Sequence, residues 1–267
     1  MRKIEIIELK QLQLDILEKV DTFCRQNDIK YTLYYGTLIG AIRHKGYIPW
    51  DDDIDIAMTR PYYTKFLNTF NGTYDNLHVL APELNADYYA PYANVCDQRT
   101  ILLEGRNGHR SIEVGVKIDI FPIDGTPDSN SEFKLIKKIL FKLNSVLTVK
   151  RKRLTYTIDT DNIKGIIRKM QFCFYRFKPT QYKIMEIASR YDFSSSTRVD
   201  NIVFQQEDAR LNRECYESYI DVDFVSKKFM AIEHYDELLR KIYGDYMVLP
   251  PMEKRVPNHG FLAYWKE

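Results

Sequence analysis

The chain has no apolar run near 18 residues, so the sequence offers no membrane span. Its first residues, Met1-Arg-Lys-Ile-Glu-Ile-Ile-Glu, carry charges throughout and lack the apolar stretch of a secretory leader. No Cys-x-x-Cys occurs. The four cysteines, Cys24, Cys96, Cys173 and Cys215, are scattered, which argues against a disulfide frame or a zinc knuckle and fits reduced thiols in a cytoplasmic protein. There is no internal repeat and no clear linker. Net charge is only +2, yet it is unevenly spread. Between Lys134 and Lys178 there are thirteen Lys and Arg against two Asp, a block of +11 that leaves −9 for the remainder. Such a block suggests a basic surface facing an anionic partner. No nucleic-acid-binding motif accompanies it, so nucleic acid is not the expected partner.

What is present is an ordinary soluble composition, 45% hydrophobic and 28% charged, in a length of 267 residues that can bury a sizeable core. One stretch, Tyr34 to Met58, organises the reading. Gly36-Thr37 lies where an extended run, 31–35, meets a helical one, 38–44. A strand-to-helix turn opening on Gly-Thr frees backbone N–H groups suited to a phosphate. Arg43, His44 and Lys45 follow as three potential cations, and Pro49-Trp50 breaks the helix. Then Asp53-Ile54-Asp55-Ile56 alternates acid and apolar residues. In a strand, positions i and i+2 share a face, so Asp53 and Asp55 form a carboxylate pair suited to Mg²⁺ or Mn²⁺. A lone Asp-x-Asp is a weak signal. Here the ordered glycine, cations and Trp before it strengthen the metal–phosphate reading.

The rest of the chain frames that stretch. Residues 3–28 place Ile7, Leu12, Ile16, Leu17, Val20 and Phe23 on one face of an amphipathic helix. Thr59 can cap a helix from Pro61 to about Phe70. Residues 77–80 and 92–103 read as strands, the second broken near Asp97. Arg99 there either contacts a substrate phosphate or pairs with Asp97. Residues 104–110 are turn-rich. In the strand 116–121, Asp119 stands between Ile118 and Ile120, costly unless paired or metal-bound, and completes a triad with Asp53 and Asp55. Asp124-Gly125 reads as a turn. Residues 131–149 read as a helix, and a second basic amphipathic region spans 163–177. This pair suits either an anionic membrane surface or a packed hairpin with a solvated basic face. A strand over 219–225 and a helix over 235–243 capped by Gly244 lead to a terminal arm holding Arg255 and His259, either of which could fold over a site. The predicted class is α+β, divided as a core over 1–130, a basic helical region over 131–190 and a strand–helix arm over 191–267 that completes the domain.

Four segments together resemble the LicD family of phosphocholine transferases, related to fukutin and fukutin-related protein. They are Gly36-Thr-Leu-Ile-Gly-Ala-Ile-Arg-His-Lys-Gly46, Ile48-Pro-Trp-Asp-Asp-Asp-Ile-Asp-Ile56, Asp119-Ile-Phe-Pro122 and Tyr243-Gly-Asp-Tyr-Met247 with the Pro-Pro, Arg and His after it. The resemblance implies a nucleotidyltransferase-like mixed sheet flanked by helices. It implies metal ligation by Asp53 and Asp55, with Asp119 as third carboxylate. The implied reaction moves phosphocholine from CDP-choline to a sugar hydroxyl of a cell-surface glycan precursor (teichoic acid, capsule or lipopolysaccharide), releasing CMP. Such an enzyme would be cytoplasmic, with a lipid-linked acceptor drawing it to the inner membrane face. Gly36 and Thr37 would contact phosphate, Arg43, His44 and Lys45 would supply positive charge, Asp119 would act as base or share a second metal, and an aromatic cage for choline could draw on Trp50 or Tyr47. Ribitol phosphate, glycerol phosphate or phosphoethanolamine transfer, true nucleotidyl transfer, and a metal-binding scaffold without chemistry remain as alternatives.

Overall fold

A computed structural model of the chain describes residues 1–85, 88, 90–103, 114–155, 176–204, 208–257 and 260–266, with backbone alone for 148–155 and 177. The predicted region 104–110, most of the second basic region and His259 lie outside these residues. The class is α+β, as expected. The main sheet runs β1 (Lys3–Ile4), β11 (Leu262–Trp265), β5 (Ala93–Leu103), β6 (Val114–Thr126), β3 (Asp55–Thr59) and β2 (Thr32–Leu33), with β4 (Leu77–Leu80) on β5 and β7 (Arg198–Asp200) and β8 (Leu211–Asn212) extending from β6. It is mixed: β3 and β6 are parallel, whereas the other pairs are antiparallel.

β6 is the spine. All thirteen of its residues are buried, because β3, β5 and β7 pair along it and helices cover its faces. It runs through Pro122 to Thr126, so Asp124-Gly125 is strand and not the turn its dipeptide suggests. Burial overrides the local signal here. Asp124, fully buried, accepts two hydrogen bonds from Arg60, at 2.6 Å from Nε and 2.7 Å from Nη2. The break expected near Asp97 is a register shift in β5 between Asp97 and Leu102.

α1 (Ile6–Gln26) covers the sheet with Leu12, Ile16, Leu17, Val20 and Phe23 buried. Ile7, expected on that face, sits on the opposite side of the first turn and is 83% exposed. α3 (Arg60–Thr69) has its proline in the first turn as predicted. α4 (Asn130–Thr155) packs on α5 (Phe177–Ala188). Together with Ile202 and Val203 they enclose a second apolar core around Phe133, Ile136, Leu140, Ile184 and Ile187. The chain then forms the hairpin β9 (Tyr219–Phe224) and β10 (Lys227–Ile232), where a strand and then an extended segment are expected, and α6 (Tyr235–Tyr243), ended by Gly244 at φ +69°. The terminal residues return to pair β11 between β1 and β5. No helix among the described residues is long and apolar enough to cross a membrane.

Candidate active site

The site follows from strand register. Asp55 opens β3 and pairs directly with Asp119 on the parallel β6, and Asn94 on β5 pairs with Asp119 from the other side. Asp55, Asp119 and Asn94 therefore form one row across three strands, spaced about 4.8 Å apart along the hydrogen-bonding direction. Lys117 shares the face of Asp119 two residues earlier, and its ammonium reaches Asp119 Oδ1 at 2.5 Å. Asn94 donates its amide hydrogen to the same oxygen and accepts from the Tyr88 hydroxyl. A buried acid flanked by isoleucines is thus held by a buried cation and a buried amide.

The start of β3 is tied to the glycine-rich turn. α2 (Tyr35–Ile39) runs into a single π turn over Gly40–His44, which Lys45 ends at φ +59°. The helical run thus ends at His44, where the sequence places its end, and before Pro49-Trp50. The Asp55 backbone N–H donates to Thr37 Oγ1 at 2.9 Å, so Thr37 fixes the first residue of β3. Gly36 makes room for an acid: a Cβ there would stand 2.4 Å from Asp51 Oδ2. A Cβ on Gly40 would stand 2.4 Å from the Gly46 carbonyl oxygen, so the return of the chain after the π turn requires glycine.

Asp51, Asp52 and Asp53 present carboxylate oxygens within 4.8 Å of one another. Asp53 precedes β3 and belongs to this cluster; Ile54 already joins the ladder, its carbonyl accepting from the Asp119 N–H at 2.9 Å, and the Asp53 charge acts on Asp55. Burial first, then the charges of Asp53, Asp119 and Asp51, hold the Asp55 carboxyl well above the usual carboxylate range, with Lys117 opposing them. Carboxylates crowded in this way are a fitting set of hard oxygen donors for a divalent cation.

The terminal arm closes one side. The Gly260 N–H donates to Asp52 Oδ2 at 3.1 Å. The hydroxyl of Tyr243, at the end of α6, is held protonated by burial first and by the carboxylates of Asp55, Asp51 and Asp53 second. Arg43 donates to the carbonyl oxygens of Tyr246 and Val248, binding the arm to the π turn. These contacts explain why two motifs some two hundred residues apart in sequence belong together.

The three expected cations have different surroundings. Arg43 is engaged with the arm and donates from Nε to His44 Nε2 at 2.9 Å. Burial, then Arg43, lowers the His44 pKa, so the ring is neutral. Lys45 is exposed and accepts at its carbonyl from Val225 at the tip of the β9–β10 hairpin. Arg255 lies with its guanidinium 5.6 Å from the centre of the Trp50 ring. Tyr47 packs its ring on Phe224, Lys10 covers it at 4.8 Å, and its hydroxyl donates to the Lys10 carbonyl, while burial first and then the carboxylates of Asp53 and Asp51 raise its pKa, which puts it beside the acid cluster. Arg99 takes the bland alternative. It binds Asp97 at 2.6 Å and lies over Trp265, five residues along β5 from Asn94. Asn94 and Lys117 are the residues that sequence reasoning missed. The i, i+2 spacing of Lys117 and Asp119 was a usable signal, whereas Asn94 had none.

The chain therefore carries an acid-lined site on a mixed α+β sheet, closed by its own C-terminal arm. Residues 28–150 match the family described as "LicD/FKTN/FKRP, nucleotidyltransferase domain". The chain is 30% identical over 99% of its length, and 99% of the relative's, to the lipopolysaccharide cholinephosphotransferase LicD of Haemophilus influenzae. The protein belongs to the LicD family. A shorter likeness, 41% over 59 residues, 22% of this chain and 19% of the relative, joins it to an uncharacterized protein of Rickettsia typhi, and an uncharacterized protein of Rickettsia prowazekii shows the same identity over 22% of each.

Proposed function

We propose that the protein is a phosphotransferase that moves phosphocholine from CDP-choline to a sugar hydroxyl of a lipopolysaccharide or related cell-surface glycan precursor, releasing CMP. The observation that carries this reading is the row of Asp55, Asp119 and Asn94 with Lys117 beside it, in a chain related over its full length to a cholinephosphotransferase. The same relationship favours phosphocholine over alditol phosphates.

Asp53, Asp55 and Asp119 are the residues that would hold Mg²⁺ or Mn²⁺. When bound, the ion would neutralise charge on the diphosphate and on leaving CMP. Lys117 and Asn94 orient Asp119, whose carboxylate takes the proton of the attacking sugar hydroxyl. The new bond joins that oxygen to the choline-bearing phosphorus, and the bond from phosphorus to the CMP oxygen breaks. Thr37 and Gly36 act indirectly, by fixing Asp55 and seating Asp51. The test is CMP release from CDP-choline with Mg²⁺ and a lipopolysaccharide acceptor. Pyrophosphate from CTP in place of CMP would select nucleotidyl transfer instead.

A lipid-linked acceptor fits the exposed face of α4. Leu135 and Phe141 are each 57% exposed and Ile139 40%, beside the exposed Lys134, Lys138 and Lys142. Leu135 and Ile139 lie one turn apart and the lysines stand between them and Phe141 around the helix; exposed apolar residues interleaved with lysines suit peripheral binding to an anionic membrane. Co-sedimentation with phosphatidylglycerol vesicles at low salt tests it, and loss of binding in Leu135→Ser/Phe141→Ser is the expected outcome.

A further inference from the structure

Four aromatic rings stand one step beyond the acid row on the same face of the sheet. Phe121 follows Asp119 by two residues on β6. The register of β5 with β6 sets Tyr92 opposite it, and their ring centres are 4.4 Å apart. Tyr35, the residue before Gly36, packs edge-on to Phe121 at 5.2 Å. Phe204 completes the set, 5.3 Å from Phe121, 5.6 Å from Tyr92 and 6.0 Å from Tyr35. Phe121 and Tyr35 are buried and form a floor. Phe204 is 51% exposed and Tyr92 half-buried, so their surfaces remain open above it.

We propose that this platform receives the quaternary ammonium of the transferred group, and that Phe204 determines specificity for it. The proposal rests on the phosphocholine reading above. Three observations support it. The first is spacing: two residues of strand place Phe121 about 7 Å from Asp119, enough for a phosphorus held beside the acid row plus the short oxyethylene link that carries the ammonium. With phosphorus at the acid row, the ammonium falls at the ring row. The second is order. Phe204 donates its N–H to Asn201 Oδ1 at 3.3 Å, and Asn201 donates to the Tyr35 hydroxyl at 3.1 Å, so the backbone that carries the exposed ring is tied to the floor. The third is strain. Tyr35 is a bulky residue at φ +42°, an uncommon backbone state that brings its ring into the platform. The exposed face of Phe204 is left open on rings that continue the row of Asp119 and Asn94. Trp50 is a poorer candidate, because Arg255 already covers its ring and would repel a second cation.

Ring faces attract a cation through their quadrupole, and more strongly when it is desolvated. The test compares CDP-choline with its neutral carbon isostere, in which a tert-butyl group replaces trimethylammonium. The wild-type protein is expected to prefer the charged donor in kcat/KM by roughly tenfold, the size of a desolvated cation–π contact. Phe204→Leu should reduce the preference to near unity, and Phe204→Tyr should retain it. Equal use of both donors by the wild type overturns the proposal without any variant, as does an undiminished preference in Phe204→Leu. Should the wild type release CMP from neither donor, the phosphocholine reading fails first. Saturation-transfer NMR to the methyl protons of phosphocholine then judges the platform alone. Transfer with wild type that is lost in Phe204→Leu supports it, and no transfer with wild type overturns it.

Discussion

The main sheet treats two buried carboxylates in opposite ways. Asp97, in the middle of β5, is ringed by donors. Burial alone would push its carboxyl up, but the Arg99 guanidinium, the Arg99 backbone N–H and the Asn76 amide outweigh burial and hold it below the usual range. Asp55, at the start of β3, stands among Asp51, Asp53 and Asp119 with Lys117 as the counter-charge, and its carboxyl is pushed up. Both acids are buried on one sheet. The first is satisfied by its own chain and reads as structure. The second is held in a surplus of negative charge, which an external cation would complete.

The largest expected effect breaks the crowded site. Asp55→Asn should lower transfer by at least about a hundredfold, the usual scale for losing a preorganised charge at a reacting phosphate. The same variant should melt no lower than wild type in chelator, because one of several like charges is gone. Calorimetry beside the rate measurement checks both halves. Next is Arg60→Ala. It leaves Asp124 buried without its bidentate partner and should cost on the order of 3 kcal/mol in urea unfolding.

Asp200 sharpens the comparison by pH. It is fully buried with Lys137 Nζ at 3.5 Å, and burial pushes its carboxyl up to about 6. Its folded pKa exceeds its unfolded one, so the folded state binds more protons. The resulting stability is present at pH 4 and lost as pH rises through about 6. This component, on the order of 3 kcal/mol, should vanish from the stability profile of Asp200→Asn. The smallest effect belongs to the satisfied acid. Arg99 is exposed, and Arg99→Ala should cost about 1 kcal/mol or less while leaving kcat/KM for the donor unchanged. A raised KM there would restore the phosphate-binding alternative.

Much of this was legible in the sequence because it is local. Alternation singled out Asp53 and Asp55, apolar flanks singled out Asp119, and Gly36-Thr37 read as a turn, whereas the crowding that Gly36 and Gly40 relieve shows only in the fold. What could not be read depends on distant pairing. Asn94 joins the acid row only because β5 and β6 align in one register, and no periodic pattern announces it. Asp124-Gly125 carries a turn signature that a fully buried strand overrides. The platform was missed for a similar reason. Tyr35, Tyr92, Phe121 and Phe204 are scattered singly along the chain, whereas Trp50 and Tyr47 drew notice by lying inside the central motif. The arm's closure on the π turn depends on Arg43 reaching backbone carbonyls, an interaction that requires no particular side chain at the other end.

The most direct test of the central claim is CMP release by the wild-type protein from CDP-choline with a lipopolysaccharide acceptor, measured across a Mg²⁺ titration. The expected result is release that needs both acceptor and Mg²⁺ and that disappears in Asp119→Asn. Release that persists in chelator, or that survives Asp119→Asn at the wild-type rate, would contradict the assignment of the crowded acids to a cation and the reacting phosphate.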